Sequence, residues 1–292
     1  MRKIIAGYIY IYIYLVYIDG LIKELEKSGH GLSLYGLNMS CPTVADDMIL
    51  ISLSRNGLQQ MLNICHAYAC KWRFEYNPLK CGVIVFNEMS TKQVHVSQWN
   101  IGSAQICEVD NYTRLGITCN KFMDNSMCIQ EAAIKLRSSL ISISNSGLHP
   151  NSCNPVSSRV SYTSIVIPRA LYGCELWNTC TSSDMMKLKV AHRFCMKYVQ
   201  RLDMNTSTDC TLSCVDIPSI ETIIEHRKLQ FFGQLCRLSS KYLSKQVFTH
   251  MLLRYYNMQK KYTSFIVDIY RLLVKYGLRY ILDNYIEAGA FP

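Results

Sequence analysis

The chain has 292 residues, 49% of them apolar, and a formal net charge of +10. That length holds one large domain or two ordinary ones, and that apolar fraction excludes a disordered chain. The charge points to a polyanionic partner, although the basic residues are spread out rather than gathered into a tail or block.

The 14 cysteines include no Cys-x-x-Cys pair, so a zinc-finger framework is excluded. Cys65, Cys107, Cys195 and Cys236 sit among apolar neighbours and read as small buried hydrophobes in a reducing, intracellular compartment. A zinc site built from Cys210, Cys214 and His192 is the alternative.

Residues 8–14 alternate Tyr and Ile. The codons TAT and ATA encode these residues, so the pattern reads as translated repetitive DNA at the start of the frame. The competing reading is a signal-anchor, because Met1-Arg2-Lys3 precedes the uncharged stretch Ile4–Ile18. That stretch is short against the ~17–25 residues of a spanning helix, and strict alternation favours a strand. Membrane association through residues 4–18 is therefore the minor alternative.

Next come Gly31–Gly36 and Thr43–Ser52, two β-prone runs joined by about six residues, which predict a hairpin. Asp46 and Asp47 fall near the start of its second strand. Carboxylates inside an apolar run are expected to be paired or to face a cation. A hairpin presenting them to a hard cation such as Mg²⁺ suits phosphoryl chemistry, and a solvated turn is the bland alternative. Apolar residues at Leu58, Met61, Leu62, Cys65 and Tyr68 then predict a helix over about 56–72. Asn77-Pro78 signals a turn, and strands are expected near 83–86 and 93–108.

The Ala45-Asp46-Asp47 box, the Gly57-Leu58-Gln59 helix, the turn Trp72–Cys81 and the strand Val83–Phe86 resemble a reverse transcriptase of the non-LTR retrotransposon type. Tyr17–Leu25 resembles the helix leading into that family's catalytic hairpin, and Tyr112–Ile117 the strand between its palm and thumb. Leu171–Trp177, His192–Cys195 and Arg227–Leu235 resemble the helical region that follows. The match spans residues 15 to about 240. It implies an α+β fold, with a palm fragment over 15–122 and a helical thumb-like and linker region over 123–240. Residues 1–14 lie outside the match, and the tail 241–292 has no counterpart in it.

Within the helical part, Met127–Ile143, Asp184–Leu202, Ser219 to about Leu238, Leu243–Met258 and Ser264–Glu287 are predicted helices. Ser158–Trp177 is another, with Pro168 expected to kink or break it. Ser219 is the expected N-cap of its helix.

The resemblance implies RNA-directed DNA synthesis with Mg²⁺, an RNA template and a DNA primer, and no small-molecule cofactor. Asp46 and Asp47 would hold metal, with Asp46 facing the active surface, and Lys80 would assist at the phosphates. Arg73, Arg193, Lys197, Arg201, Arg227 and Lys228 are candidate nucleic-acid contacts, each with a solvated surface position as the alternative. Trp72 and Phe74 are candidates for stacking on a base or for core packing. The family's third catalytic Asp lies upstream of its Tyr-Ile-Asp helix, whereas here only 16 residues precede Tyr17. Val44 also stands where the family has an aromatic residue. The chain is therefore expected to be catalytically incomplete, with a non-catalytic nucleic-acid-binding fragment as the alternative.

Overall fold

The computed structural model describes residues 16–86, 98–178, 180–258 and 264–287. The Tyr/Ile run, most of the 4–18 segment and the 93–97 part of a predicted strand lie outside these residues. The fold is α+β and forms two compact units. The first comprises the chain up to Arg114 with Cys119–Met123, and the second comprises Leu115–Thr118 and the chain from Asp124 onward. Among the described residues no helix is long and apolar enough to cross a membrane.

In the first unit, helix α1 runs through residues 16–27 and α2 spans Arg55–Trp72. Ile18, Leu21 and Leu25 of α1 recur at helical spacing and bury against Met61, Leu62 and Cys65 of α2. Gly20 permits the approach, since a Cβ there would lie 2.5 Å from the Tyr68 hydroxyl. Ser54 caps α2 by accepting from the Gly57 N–H.

Among the described residues there are four short sheets. Strands β1 (Ser33–Leu34) and β2 (Leu37–Asn38) pair, as do β3 (Thr43–Val44) and β4 (Asp47–Met48). Strand β5 (Gly82–Val83) runs parallel to β7 (Ala104–Glu108), which pairs antiparallel with β6 (Trp99–Ile101). Strands β8 (Asn111–Arg114) and β9 (Ile117–Asn120) form the last pair. Trp99, Ile101 and Ile106 complete the core. The Gln59 side-chain amide donates to the Asn100 carbonyl at 2.7 Å and accepts from its N–H at 3.1 Å. A helix side chain thus satisfies a strand edge that would otherwise be open.

The single hairpin expected from Gly31–Gly36 and Thr43–Ser52 is corrected to two tight ones. Tyr35 and Gly36 both have positive φ, +53° and +79°, and close the first within two residues. Ala45 at φ +53° opens the two-residue turn of the second. Such turns match the twist of paired strands, so each short run folds back on itself before a longer connection forms. The two ends remain joined by backbone bonds, from Leu32 N–H to Ile51 at 2.8 Å and from Ile51 N–H to Ser40 at 2.8 Å.

Among its described residues the second unit consists of helices and their connections, apart from residues 115–118. Its elements are α3 (Ser126–Asn145), α4 (Pro155–Ser161), α5 (Ile167–Ala170), α6 (Ser182–Gln200), α7 (Thr208–Cys214), α8 (Ile220–Arg237), α9 (Leu243–Met258), α10 (Phe265–Lys275) and α11 (Arg279–Glu287). One core gathers α3, α6 and the α4–α5 segment around Leu136, Tyr162, Leu171, Leu188 and Met196. Another joins α8 to α11 around Phe232, Leu252, Ile266 and Leu273. Ser219 caps α8, accepting from the Thr222 N–H at 3.2 Å.

Pro168 does not break its segment. A π-helical turn, Tyr162–Val166, precedes it and carries the helix into α5. The wider turn absorbs the missing N–H of the proline. The predicted single helix Ser264–Glu287 is corrected to α10 and α11. Gly277 at φ +68° ends α10, with the Leu278 N–H bonded to Leu273 at 2.7 Å and the Gly277 N–H to Val274 at 3.1 Å. This is a Schellman ending, and glycine takes its left-handed position at no steric cost.

Candidate nucleic-acid and carboxylate site

Asp46 lies in the turn of the β3–β4 hairpin and Asp47 is the first residue of β4. The expectation that both sit on a strand is therefore corrected for Asp46. Both side chains are exposed. Val44, which pairs with Asp47 across the hairpin, is also exposed, whereas the next pair, Thr43 and Met48, is half-buried and Met48 packs on the core. The alternation of a strand thus turns Asp47 outward and Met48 inward.

Lys80 ends a single 3₁₀ turn, Pro78–Lys80. Pro78 presets its backbone, and the Asn77 side chain accepts from the Leu79 N–H at 3.1 Å. Lys80 itself is exposed.

Strand β8 holds both features. The Arg114 guanidinium donates to the Asp47 carbonyl at 2.7 Å and to the Pro42 carbonyl at 3.3 Å. The Tyr112 hydroxyl donates to the Lys80 carbonyl at 2.6 Å. Residues two apart on a strand share a face and stand about 7 Å apart. The Asp46–Asp47 turn and the Lys80 turn are thus braced from one face of one strand. Gly82 allows this, since a Cβ there would come within 3.2 Å of the Tyr112 ring. The sequence marks Tyr112–Ile117 as a strand but assigns neither Tyr112 nor Arg114 a role at the site. The available signal was the alternation Tyr112-Thr113-Arg114, two long donors on one face of a β-prone run.

The carboxylates present do not fit a two-metal Mg²⁺ centre. A hard cation of that size takes near-octahedral oxygen ligands, and a two-metal centre needs carboxylates on both sides. Among the described residues no group of three or more His, Cys, Asp or Glu side chains converges. The two exposed carboxylates on this hairpin fall short of such a set.

Arg73 closes α2 in the left-handed region at φ +58° and is exposed. Beside it, Trp72 is 42% exposed and meets Tyr17 edge-on at 4.7 Å, with the Lys71 ammonium 5.7 Å from its ring. Phe74 is half-buried and packs on the core.

The cations of the second unit are placed differently. Lys228 is buried, with its ammonium donating to the Trp177 carbonyl and to Asp268 at 3.1 Å. Lys197 is buried and donates to the Met204 carbonyl at 2.5 Å. Both are corrected from candidate phosphate contacts to internal fasteners. A buried ammonium must be satisfied inside the protein, and here carbonyls and a carboxylate do it. Arg227 donates to the Leu171 carbonyl at 3.1 Å and lies 3.9 Å from Glu175. Arg193 donates to the Lys189 carbonyl of its own helix at 3.2 Å. Arg201 ends α6 at φ +55° with its side chain exposed. A third fastener, Lys245, has no sequence signal. It donates to the last carbonyls of α8, Leu235 at 3.1 Å and Cys236 at 2.9 Å, and to the Tyr285 hydroxyl.

The zinc alternative has no geometric support. His192 is buried and bonded to the Tyr162 hydroxyl at 2.8 Å and the Pro218 carbonyl at 3.2 Å, while Cys210 and Cys214 are exposed. Burial lowers the His192 pKa to about 4 and holds the Tyr162 hydroxyl protonated. The neutral ring therefore donates from Nε2 to Pro218 and accepts at Nδ1 from Tyr162. Cys65 and Cys195 are buried as expected, and burial pushes both thiols up to about 12. Cys236 is half-buried. Cys107 is exposed, a correction, because its position on β7 points away from the core.

The chain matches no protein-family model, no curated protein and no solved structure.

Proposed function

We propose that the chain is a reverse transcriptase-like polypeptide of the non-LTR retrotransposon type, catalytically incomplete, whose first unit keeps a nucleic-acid-facing edge. The observation that carries this reading is the bracing of the Asp46–Asp47 turn and the Lys80 turn by one face of β8. That arrangement fixes an exposed cation and two exposed carboxylates to one strand, where the lysine can meet a phosphate and the carboxylates a counterion. The exposed Trp72, flanked by Lys71 and Arg73, adds a ring on which an unpaired base can stack. Among the described residues the carboxylate set is too small for two-metal chemistry.

Primer extension on an RNA template tests the catalytic part. The purified chain is expected to extend no primer with Mg²⁺ or Mn²⁺. Extension that disappears in Asp46→Ala would overturn the claim of incompleteness and assign the site at once.

A further inference from the structure

Helices α3 and α6 bury one face of each in a common core, through Leu136 and Leu140 on α3 and Leu188 and Cys195 on α6. Each also carries a second apolar stripe facing solvent. On α3 it is Met127, Ile134 and Ile141, spaced by seven residues and 41%, 59% and 41% exposed. On α6 it is Met186 and Val190, 52% and 43% exposed. Between the stripes lies an open groove of about 600 Å³, lined on one side by Ala133, Ile134 and Arg137 and on the other by Met186, Lys187 and Val190.

We propose that this groove docks an amphipathic helix of another protein whose flanks are acidic. A seven-residue repeat of exposed apolar side chains beside a second helix is the surface onto which a third helix packs knobs into holes. The charge follows from the rim. None of the lining residues is acidic, and Arg137 and Lys187 stand on opposite sides. Asp184, beside the lining residue Ser183, offsets Lys187 at 3.1 Å and is held by Thr181 at 2.7 Å and Ser126 at 3.2 Å, so the rim keeps its net positive charge through Arg137. A second copy fits poorly, because a two-fold interface would set these cations against themselves. Nucleic acid fits poorly too. The lining has no aromatic ring for base stacking, and phosphates would leave the apolar floor uncovered. The groove belongs to the second unit, whereas the Asp46–Asp47 and Lys80 turns that carry the proposed function belong to the first.

The probe is a labelled synthetic helix of about three heptads, with Leu at the core positions and Glu on the flanks, and a Lys-flanked twin as its control. Fluorescence anisotropy with the full chain is expected to show binding of the Glu peptide, weakening as salt rises, and little of the Lys peptide. Ile134→Glu with Met186→Glu is expected to lower affinity by about tenfold or more without changing the circular dichroism, since both side chains are exposed. Arg193 of α6 reaches the sulfur of the lining residue Met186 at 3.6 Å, and Arg137→Glu with Arg193→Glu is expected to move the preference to the Lys peptide. No binding, equal binding of the two peptides, or indifference to Ile134→Glu with Met186→Glu would overturn the proposal. So would a dimer in sedimentation that Ile134→Glu dissolves, or displacement of the Glu peptide by polyuridylate.

Discussion

Lys80 and Arg73 of the first unit stand in solvent, whereas Lys197, Lys228 and Lys245 of the second are buried and hold carbonyl groups. The same side chain is a surface charge in one unit and a clamp in the other. What differs is the architecture around it. The first unit is built from two-residue turns and strands of two to five residues, which leave every turn tip in water. The second stacks long helices and their connections, whose inward carbonyls need donors: Lys245 supplies the last carbonyls of α8, Lys197 the Met204 carbonyl and Lys228 the Trp177 carbonyl. A net charge of +10 therefore overstates the surface available to a polyanion.

The contrast is most easily broken at Lys228. Its side chain and that of Asp268 are 8% and 11% exposed. Lys228→Ala takes the buried ammonium from the Trp177 carbonyl and from Asp268, which keeps Arg271 at 3.5 Å, and should cost about 3 kcal/mol in urea unfolding. Lys228→Met with Asp268→Leu removes both charges together and should restore most of the loss. A Lys228→Ala loss below about 1 kcal/mol would mean that the pair is not desolvated as described.

His192 gives the next largest effect, read through pH. Its folded-state pKa is lowered from 6.5 to about 4, so the folded state favours the neutral ring. The stability this provides is complete above pH 6.5 and is lost as pH falls from there towards 4. The shift corresponds to about 3 kcal/mol. Urea midpoints across pH 4–7 should show this fall, and His192→Gln should flatten it. A profile that His192→Gln leaves unchanged would contradict the assignment.

Arg114 tests the first unit in the same way. Arg114→Met removes two charge-assisted hydrogen bonds and should cost about 1.5–3 kcal/mol, concentrated in the β3–β4 hairpin. Hydrogen exchange at the Asp47 and Ile49 amides should quicken while α3 amides stay protected. Uniform change across both units would deny that the brace is local.

Much of this organisation was legible in the sequence. The helices α2, α3, α6, α8 and α9 follow apolar periodicity, α8 with its expected N-cap at Ser219, and α9 begins and ends where the pattern does. The missed hairpin and the missed helix break share a cause. Gly36 and Gly277 are single residues whose positive φ closes a hairpin and ends a helix, and periodicity averages over them. The fate of the lysines was hidden for another reason. Lys228 has an ordinary helical context, and only Asp268, 40 residues away, shows that it is buried. Asp46 and Asp47 stand out because two adjacent carboxylates in an apolar run are conspicuous, whereas the strand that braces them shows only an alternation.

The smallest expected effect on stability comes from the exposed cations. Arg73→Ala and Lys80→Ala should each change it by less than about 0.5 kcal/mol. That makes them clean probes of the central claim, that the nucleic-acid-facing charge lies in the first unit. The direct measurement is the salt dependence of binding to a single-stranded RNA oligonucleotide. Removing Lys71, Arg73 and Lys80 together should reduce the slope of log affinity against log salt by about 0.7 for each phosphate that is no longer neutralised. The Lys228→Met, Asp268→Leu protein should keep the slope of the parent. An unchanged slope in the first variant, or a reduced slope in the second, would contradict the account.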